Sequence, residues 1–287
     1  MDTQSFEDLN PLTYFREPVP TVGVLRLYGV IGMPGHMRRS LSLAGLARSI
    51  EKVFKFRHLK AVALAINSPG GSVAQTALIA KRIRSLADEK EVPVFAFAED
   101  VAASGGYWLA CASDEIYADE NSIIGSIGVV SGGFGLAGLI KRIGVERRLY
   151  TAGEKKALLD AFQRAKPEDV KTLQEMQSEV HESFKQMVRE RRRGKLQAEE
   201  DELFSGRFWT GRKAQELGLI DGIGDLRTVM RERFGDKVKL RPIALRRSWW
   251  QRRSGIFSGA AAAGPADWAD GALAAVEERL WWNRFGL

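Results

Sequence analysis

Residues Ala61–Gly71 read AVALAINSPGG, and this stretch decides the fold class. Ala61 to Ile66 are apolar without alternation, the pattern of a strand buried on both faces. Asn67-Ser68-Pro69-Gly70-Gly71 breaks the run, and helical spacing follows from about Val73 to Glu89. Val92 to Ala98 repeats the scheme with a strand, a loop and a helix beginning near Ser104. Working outward, Val22–Leu27 reads as an earlier strand, and Leu43, Leu46, Ile50 and Phe54 mark a helix within Ser40–Lys55. Downstream, Ile116–Ala118, Ile127–Val130 and Glu146–Tyr150 read as strands and Leu136–Ile143 as a short helix. Strands alternating with helices predict an α/β domain with a largely parallel sheet and flanking helices.

A long helix is expected from Pro167 to about Arg193, with Pro167, Glu168 and Asp169 suited to its first turn and Gly194 to its stop. Its stripe of Val170, Leu173, Met176, Val180, Phe184 and Met187 is expected to be core. Phe208 to Ala214 opens another short helix that closes at Gly218. These readings divide the chain into an N-terminal arm (1–20), a catalytic-sized domain (21–240) and a C-terminal tail rich in Trp, Arg and Ala (241–287). The tail is expected to dock on the domain or remain irregular, with Leu273–Trp282 as its helical part; interfacial membrane contact is the alternative its composition suggests.

The formal charge of +7 is concentrated in two clusters, one of Arg189, Arg191, Arg192, Arg193 and Lys195, the other of Arg241, Arg246, Arg247, Arg252 and Arg253. Solvated helix ends explain them most simply, and polyanion contact is the alternative. No nucleic-acid motif accompanies the charge, so nucleic acid is not an expected partner. The single Cys111 excludes an internal disulfide and any multi-cysteine metal site, and no metal or cofactor is expected. Neither a signal peptide nor a transmembrane helix is read, which favours a cytoplasmic location, with the tail as the route to peripheral contact at the inner membrane.

Two glycine-bearing turns could carry chemistry. In the first, Gly70 and Gly71 let a ligand approach backbone N–H groups at a strand-to-helix turn, where a developing oxyanion can be held. In the second, Ala102-Ala103-Ser104-Gly105-Gly106, Ser104 sits where a sharp turn would expose a hydroxyl beside a helix start. An N-cap without chemistry fits Ser104 equally well. A serine nucleophile needs a base. His36, His58 and His181 are the chain's histidines, and none is well placed for a triad. A desolvated lysine can serve instead, and Lys155 and Lys156 lie in a loop preceding an apolar run; spacing alone selects neither. Gly133–Gly138 formally satisfies G-x-G-x-x-G, Cys111 reads as a core thiol, and Asp221 and Asp225 read as turn residues.

The segments I66-N-S-P-G-G71, V101-A-A-S-G-G-Y-W108, G125-S-I-G-V129 and T151-A-G-E-K-K156 occur in one order that resembles the signal peptide peptidase A, or S49, family over residues 22–235. The resemblance implies the Clp protease/crotonase-like superfamily fold and a serine endopeptidase acting on signal-peptide remnants or unfolded chains. It implies Ser104 as nucleophile, Lys156 as general base, Ser126 as the serine that orients the lysine, and the Gly70–Gly71 turn as oxyanion hole. It further implies a homo-oligomer whose active sites form at protomer boundaries. Family members usually carry a membrane anchor before the peptidase domain, and this sequence is expected to lack one. A crotonase-like acyl-CoA enzyme and a catalytically silent scaffold at a membrane surface are the competing readings.

Overall fold

The computed structural model describes residues 19–32, 41–243, 276 and 279–287. The elements run β1 (Thr21–Tyr28), α1 (Leu43–Val53), β2 (Leu59–Ser68), α2 (Val73–Lys90), β3 (Val94–Ala103), α3 (Gly105–Ala110), β4 (Glu115–Ala118) and β5 (Ile123–Gly125). They continue with α4 (Ala137–Arg142), α5 (Pro167–Arg191), α6 (Glu200–Leu203), β6 (Phe208–Thr210), α7 (Gly211–Glu216), β7 (Gly222–Ile223), α8 (Leu226–Phe234) and β8 (Lys239–Pro242). The strands form one sheet in the order β6-β5-β3-β2-β1-β8, with β4 branching from β3 and carrying β7. All pairings are parallel except β5 with β6. This is the expected α/β class.

The central strands show why their sequence lacks alternation. Val62, Leu64 and Ile66 face the main core under α1, α2 and α3, whereas Ala61, Ala63 and Ala65 face a second core closed by Val229 and Met230 of α8. On the neighbouring strand the sizes invert: Ala96 and Ala98 face the main core, Phe95 and Phe97 the second. Register places Ala63 beside Phe95, Leu64 beside Ala96 and Ala65 beside Phe97. Large residues thus fill the space left by small ones on each face, which is how interiors reach close packing.

β3 is forked. Phe95–Ala98 pair with β4, and Val101–Ala103 pair with β5. At the fork the ladder to β2 shifts between Ile66 and Ser68, and Glu99 and Asp100 turn outward. They are held by Tyr28 Oη on Glu99 (2.6 Å) and Asn67 Nδ2 on Asp100 (2.5 Å). Ser122 Oγ donates to the Glu99 carbonyl at 2.5 Å, fixing where β5 begins. The strand read at Ile127–Val130 therefore lies a few residues upstream, where β3 offers free backbone partners.

Three other expectations change. Glu146–Tyr150 forms no strand with any described residue, and its apolar spacing reflects exposed side chains and not a ladder. The stripe of α5 is core only at its C-terminal end: Phe184 and Val188 are buried, while Val170 and Met176 are exposed because the first half of the helix runs past the sheet. The basic cluster at the end of α5 is solvated at Arg193 but not at Arg192. Arg192 is 2% exposed and donates to the Gly218 carbonyl through Nε and Nη2, at 3.0 and 2.8 Å, and to Asp221 Oδ2 through Nη1 at 2.5 Å. Lys195 Nζ and the Ile116 N–H complete the Asp221 shell. Asp221 is thus the anchor of α5 and not a turn residue. Burial pushes its carboxyl up, but the Arg192 and Lys195 contacts outweigh this and leave it below its usual value. Asp225 does cap a turn, accepting from the Arg227 and Thr228 N–H groups at the start of α8.

Candidate active site

Ser104 stands between the end of β3 and the start of α3. Its backbone has φ 52° and ψ −120°, a conformation an L-residue rarely adopts. Such a geometry costs about 1–3 kcal/mol and persists only where the surroundings over-determine it. Here the Ser104 N–H donates to the Gly125 carbonyl at 2.8 Å, and its carbonyl accepts from Trp108 at 3.0 Å. The side chain is not spent on capping α3, so the N-cap reading of Ser104 is not what the structure shows. Behind it, Tyr107 Oη donates to the Leu219 carbonyl at 2.7 Å within the main core.

The Gly70–Gly71 turn lies against this serine. A Cβ built on Gly70 would come 2.8 Å from Ser104 Cβ and 2.9 Å from the Gly105 nitrogen. Gly71 has φ +140°, and a Cβ there would sit 2.2 Å from the Ile31 carbonyl oxygen. Ile31 bridges to Gly71 by accepting from Ser72 N–H and donating to the Gly70 carbonyl, both at 2.8 Å. In a parallel bridge the residue opposite points its own N–H the other way, so the Gly71 N–H faces away from Ile31. Ser68 Oγ reaches the Gly29 carbonyl at 2.7 Å and steadies the turn.

Ser126 follows β5 and shares the positive φ of Ser104, at 52°. Its N–H donates to the Arg207 carbonyl at 2.7 Å, and the residue is buried. Next to it, His181 Nε2 lies 3.2 Å from the Ile127 carbonyl, so this histidine packs α5 onto the β5 exit. An open cleft of about 460 Å³ runs there between Val129 and Gln174, Gln177, Ser178 and His181.

The lysines are elsewhere. Lys155 and Lys156 are both exposed, on the excursion between Val129 and α5, and neither side chain bonds to another described residue. The excursion is tied to itself by Leu136 N–H to the Ala161 carbonyl (2.6 Å) and by Arg147 to Asp160 (2.9 Å). The structure therefore unites Ser104, Gly70 and Gly71, puts Ser126 one strand away, and leaves Lys156 outside this group. His58 is exposed, and His36 lies outside the described residues. Burial raises the Cys111 thiol to about 11, which keeps it protonated at neutral pH and unfit as a nucleophile. Around Gly133, Gly135 and Gly138 a Cβ would meet nothing, so these glycines do not form the tight strand–helix turn that a dinucleotide site needs.

The profile of peptidase family S49 matches residues 87–240, a span that holds Ser104, Ser126 and Lys156. The chain belongs to peptidase family S49. Its S49 kinship extends to a putative signal peptide peptidase SppA of Enterococcus faecium, 31% identical over 70% of this chain and 59% of the relative. The chloroplastic serine protease SPPA of Arabidopsis thaliana is 35% identical over 71% of this chain and 29% of the relative. A Brucella abortus protein named as a Na(+)/H(+) antiporter NhaA is 50% identical over 95% of this chain, which spans only 38% of that relative. Among the described residues no helix is long and apolar enough to cross a membrane. The chain spans less than two thirds of the length of each of these relatives.

Two features escaped sequence reading. The positive φ of Ser126 has no local signal, because serine is not a residue expected there. The Arg192–Asp221 anchor joins residues far apart in sequence, and only the excess of arginines near Gly194 hinted at it.

Proposed function

We propose that this S49 peptidase is a serine endopeptidase with Ser104 as nucleophile and Lys156 as general base. The observation that carries the reading is the backbone of Ser104, held at positive φ on a strand-to-helix turn against Gly70 and Gly71. Ser104 Oγ attacks the peptide carbonyl while its proton passes to the neutral amine of Lys156. The N–H of Gly71, with the Gly70 turn shaping its approach, stabilises the oxyanion. Lys156 then protonates the leaving amine, and water, giving its proton to Lys156, hydrolyses the acyl-enzyme and releases Ser104. Ser126 orients the amine.

The same proposal includes assembly. Lys156 is exposed in the single chain, and Val130, Phe134 (82% exposed), Leu139, Ile143 and Tyr150 (89% exposed) stand uncovered beside it. A second copy packed on this excursion would cover these residues, remove water from the lysine and bring it to a neighbour's Ser104. The name of the Enterococcus relative supports signal-peptide remnants as substrates, and unfolded chains are the broader class. A cytoplasmic location, with membrane contact through the tail (241–287), completes the reading; residues 244–275 of that tail lie outside the described ones.

The test is cleavage of casein and of a signal peptide by the wild type, Ser104→Ala and Lys156→Ala. Each variant is expected to lose about 10⁴-fold in kcat/KM, the scale seen when a nucleophile or its base is removed. Full activity in either variant rejects the dyad.

A further inference from the structure

The end of the chain returns to the reverse side of the strands that carry the two serines. Residues 279–283 are helical and stop in a defined cap: Gly286 has φ +77°, its N–H donates to the Asn283 carbonyl, and the Leu287 N–H donates to the Trp282 carbonyl. This is the paired bonding of a Schellman motif. It sets Phe285, 9% exposed, into a small separate core with Val101 and Ala103 of β3, flanked by Trp282 and Ile123 of β5. Phe285 also meets Phe208 of β6 edge-on at 5.2 Å. One aromatic side chain thus touches three adjacent strands.

Those strands hold the strained serines. Val101 and Ala103 lead into Ser104; β5 supplies the Gly125 carbonyl that fixes the Ser104 N–H; the residue before Phe208 supplies the carbonyl that fixes the Ser126 N–H. β5 and β6 have three residues each, too few to keep register by their own ladder. Ala102 faces the main core, so Phe285 presses from the side opposite α3 and leaves the Ser104 side free.

We propose that Phe285, assisted by Trp282, is a positioning residue: it clamps β3, β5 and β6 in register and so holds the backbones of Ser104 and Ser126 in their positive-φ conformations. The proposal rests on Ser104 being the nucleophile. The tail is then a working part of the peptidase domain and not an appendage.

The experiment compares Phe285→Ala and Phe285→Leu with the wild-type full chain. It reads hydrogen exchange over residues 101–107 and 123–127, thermal stability, and kcat and KM on casein. Phe285→Ala is expected to speed exchange of the Ser104 and Ser126 amides and lower kcat, each by about tenfold, the size of a lost aromatic contact, with KM unchanged. Phe285→Leu should recover most of both. Unchanged exchange and kcat in Phe285→Ala overturn the clamp, as does faster exchange spread evenly into β1 and β2, which would mark a purely structural role. Should Phe285→Ala fail to fold, Phe208→Ala removes the same contact from a half-exposed position; the same local effect supports the clamp, and its absence overturns it. Ser104→Ala in the same assay separates the two layers. Casein cleavage lost in Ser104→Ala but normal in Phe285→Ala rejects the clamp alone, whereas cleavage surviving Ser104→Ala rejects the site reading itself.

Discussion

The surroundings of Ser104 and those of Lys156 are built on opposite plans. Around Ser104 the backbone is held on several sides: two serines at positive φ, two glycines too tightly packed to accept a side chain, and carbonyls from β5 and Arg207 fixing both serine amides. Around Lys156 the chain bonds mainly to itself, and its apolar residues face outward from Val130 to Tyr150. Pre-organisation is complete on one side and deferred on the other. Under the proposed dyad, a peptidase arranged this way would stay inactive until a second surface completes it.

The sharpest way to break this contrast is to mix the inactive Ser104→Ala and Lys156→Ala proteins. If the two halves meet between copies, the mixture regains part of an activity that each variant alone has lost by about 10⁴-fold. No recovery, measured by casein cleavage after co-refolding, would place both halves in one chain. Next in size is the anchor that separates the excursion from the core. Arg192→Ala strands Asp221 in a buried setting and should lower stability by about 3–5 kcal/mol, read as a fall in the denaturant midpoint. Conversion of Arg192 and Asp221 together to apolar residues should cost much less.

A smaller effect concerns acid. The Asp221 carboxyl lies below its usual 3.8 in the folded chain despite its burial, because of Arg192 and Lys195. The folded state therefore binds its proton less readily than the unfolded one. The stabilisation is present above the unfolded value and is lost as pH falls through the folded one. Wild type should lose stability on acidification below about pH 4, and Asp221→Asn should show a flatter profile in acid melts. Smallest for the single chain is the pair Phe134→Ser and Tyr150→Ser. Both side chains are exposed, so thermal stability of the monomer should change by no more than about 0.5 kcal/mol. Native mass measurements should nevertheless show loss of assembly, and activity should fall with it.

Legibility followed the same divide. β2, β3 and their turns could be read because burial on both faces writes itself into consecutive apolar residues, and Gly70 and Ser104 mark where those runs end. Lys156 could not be read from spacing, since an exposed lysine in a loop has no local mark; only the family resemblance singled it out. Glu146–Tyr150 misled because its apolar residues are exposed and pair with no described strand. β7 and β8, of two and four residues, were too short for periodicity. Arg192, Asp221 and Phe285 act over long sequence separations, where neighbouring residues carry no trace of the partner.

The anchoring of Ser126 on Arg207 and of α5 on Phe184, Val188 and Arg192 has an evolutionary consequence. Everything between them is an excursion with both feet nailed to the same rigid body. Closure entropy grows slowly with length, by only about 0.6 kcal/mol per doubling. Insertions, deletions and wholesale rewriting between Val130 and Lys166 therefore need not disturb the folding of the domain. Under the proposed assembly, the segment that would meet another copy is also the part most free to diversify.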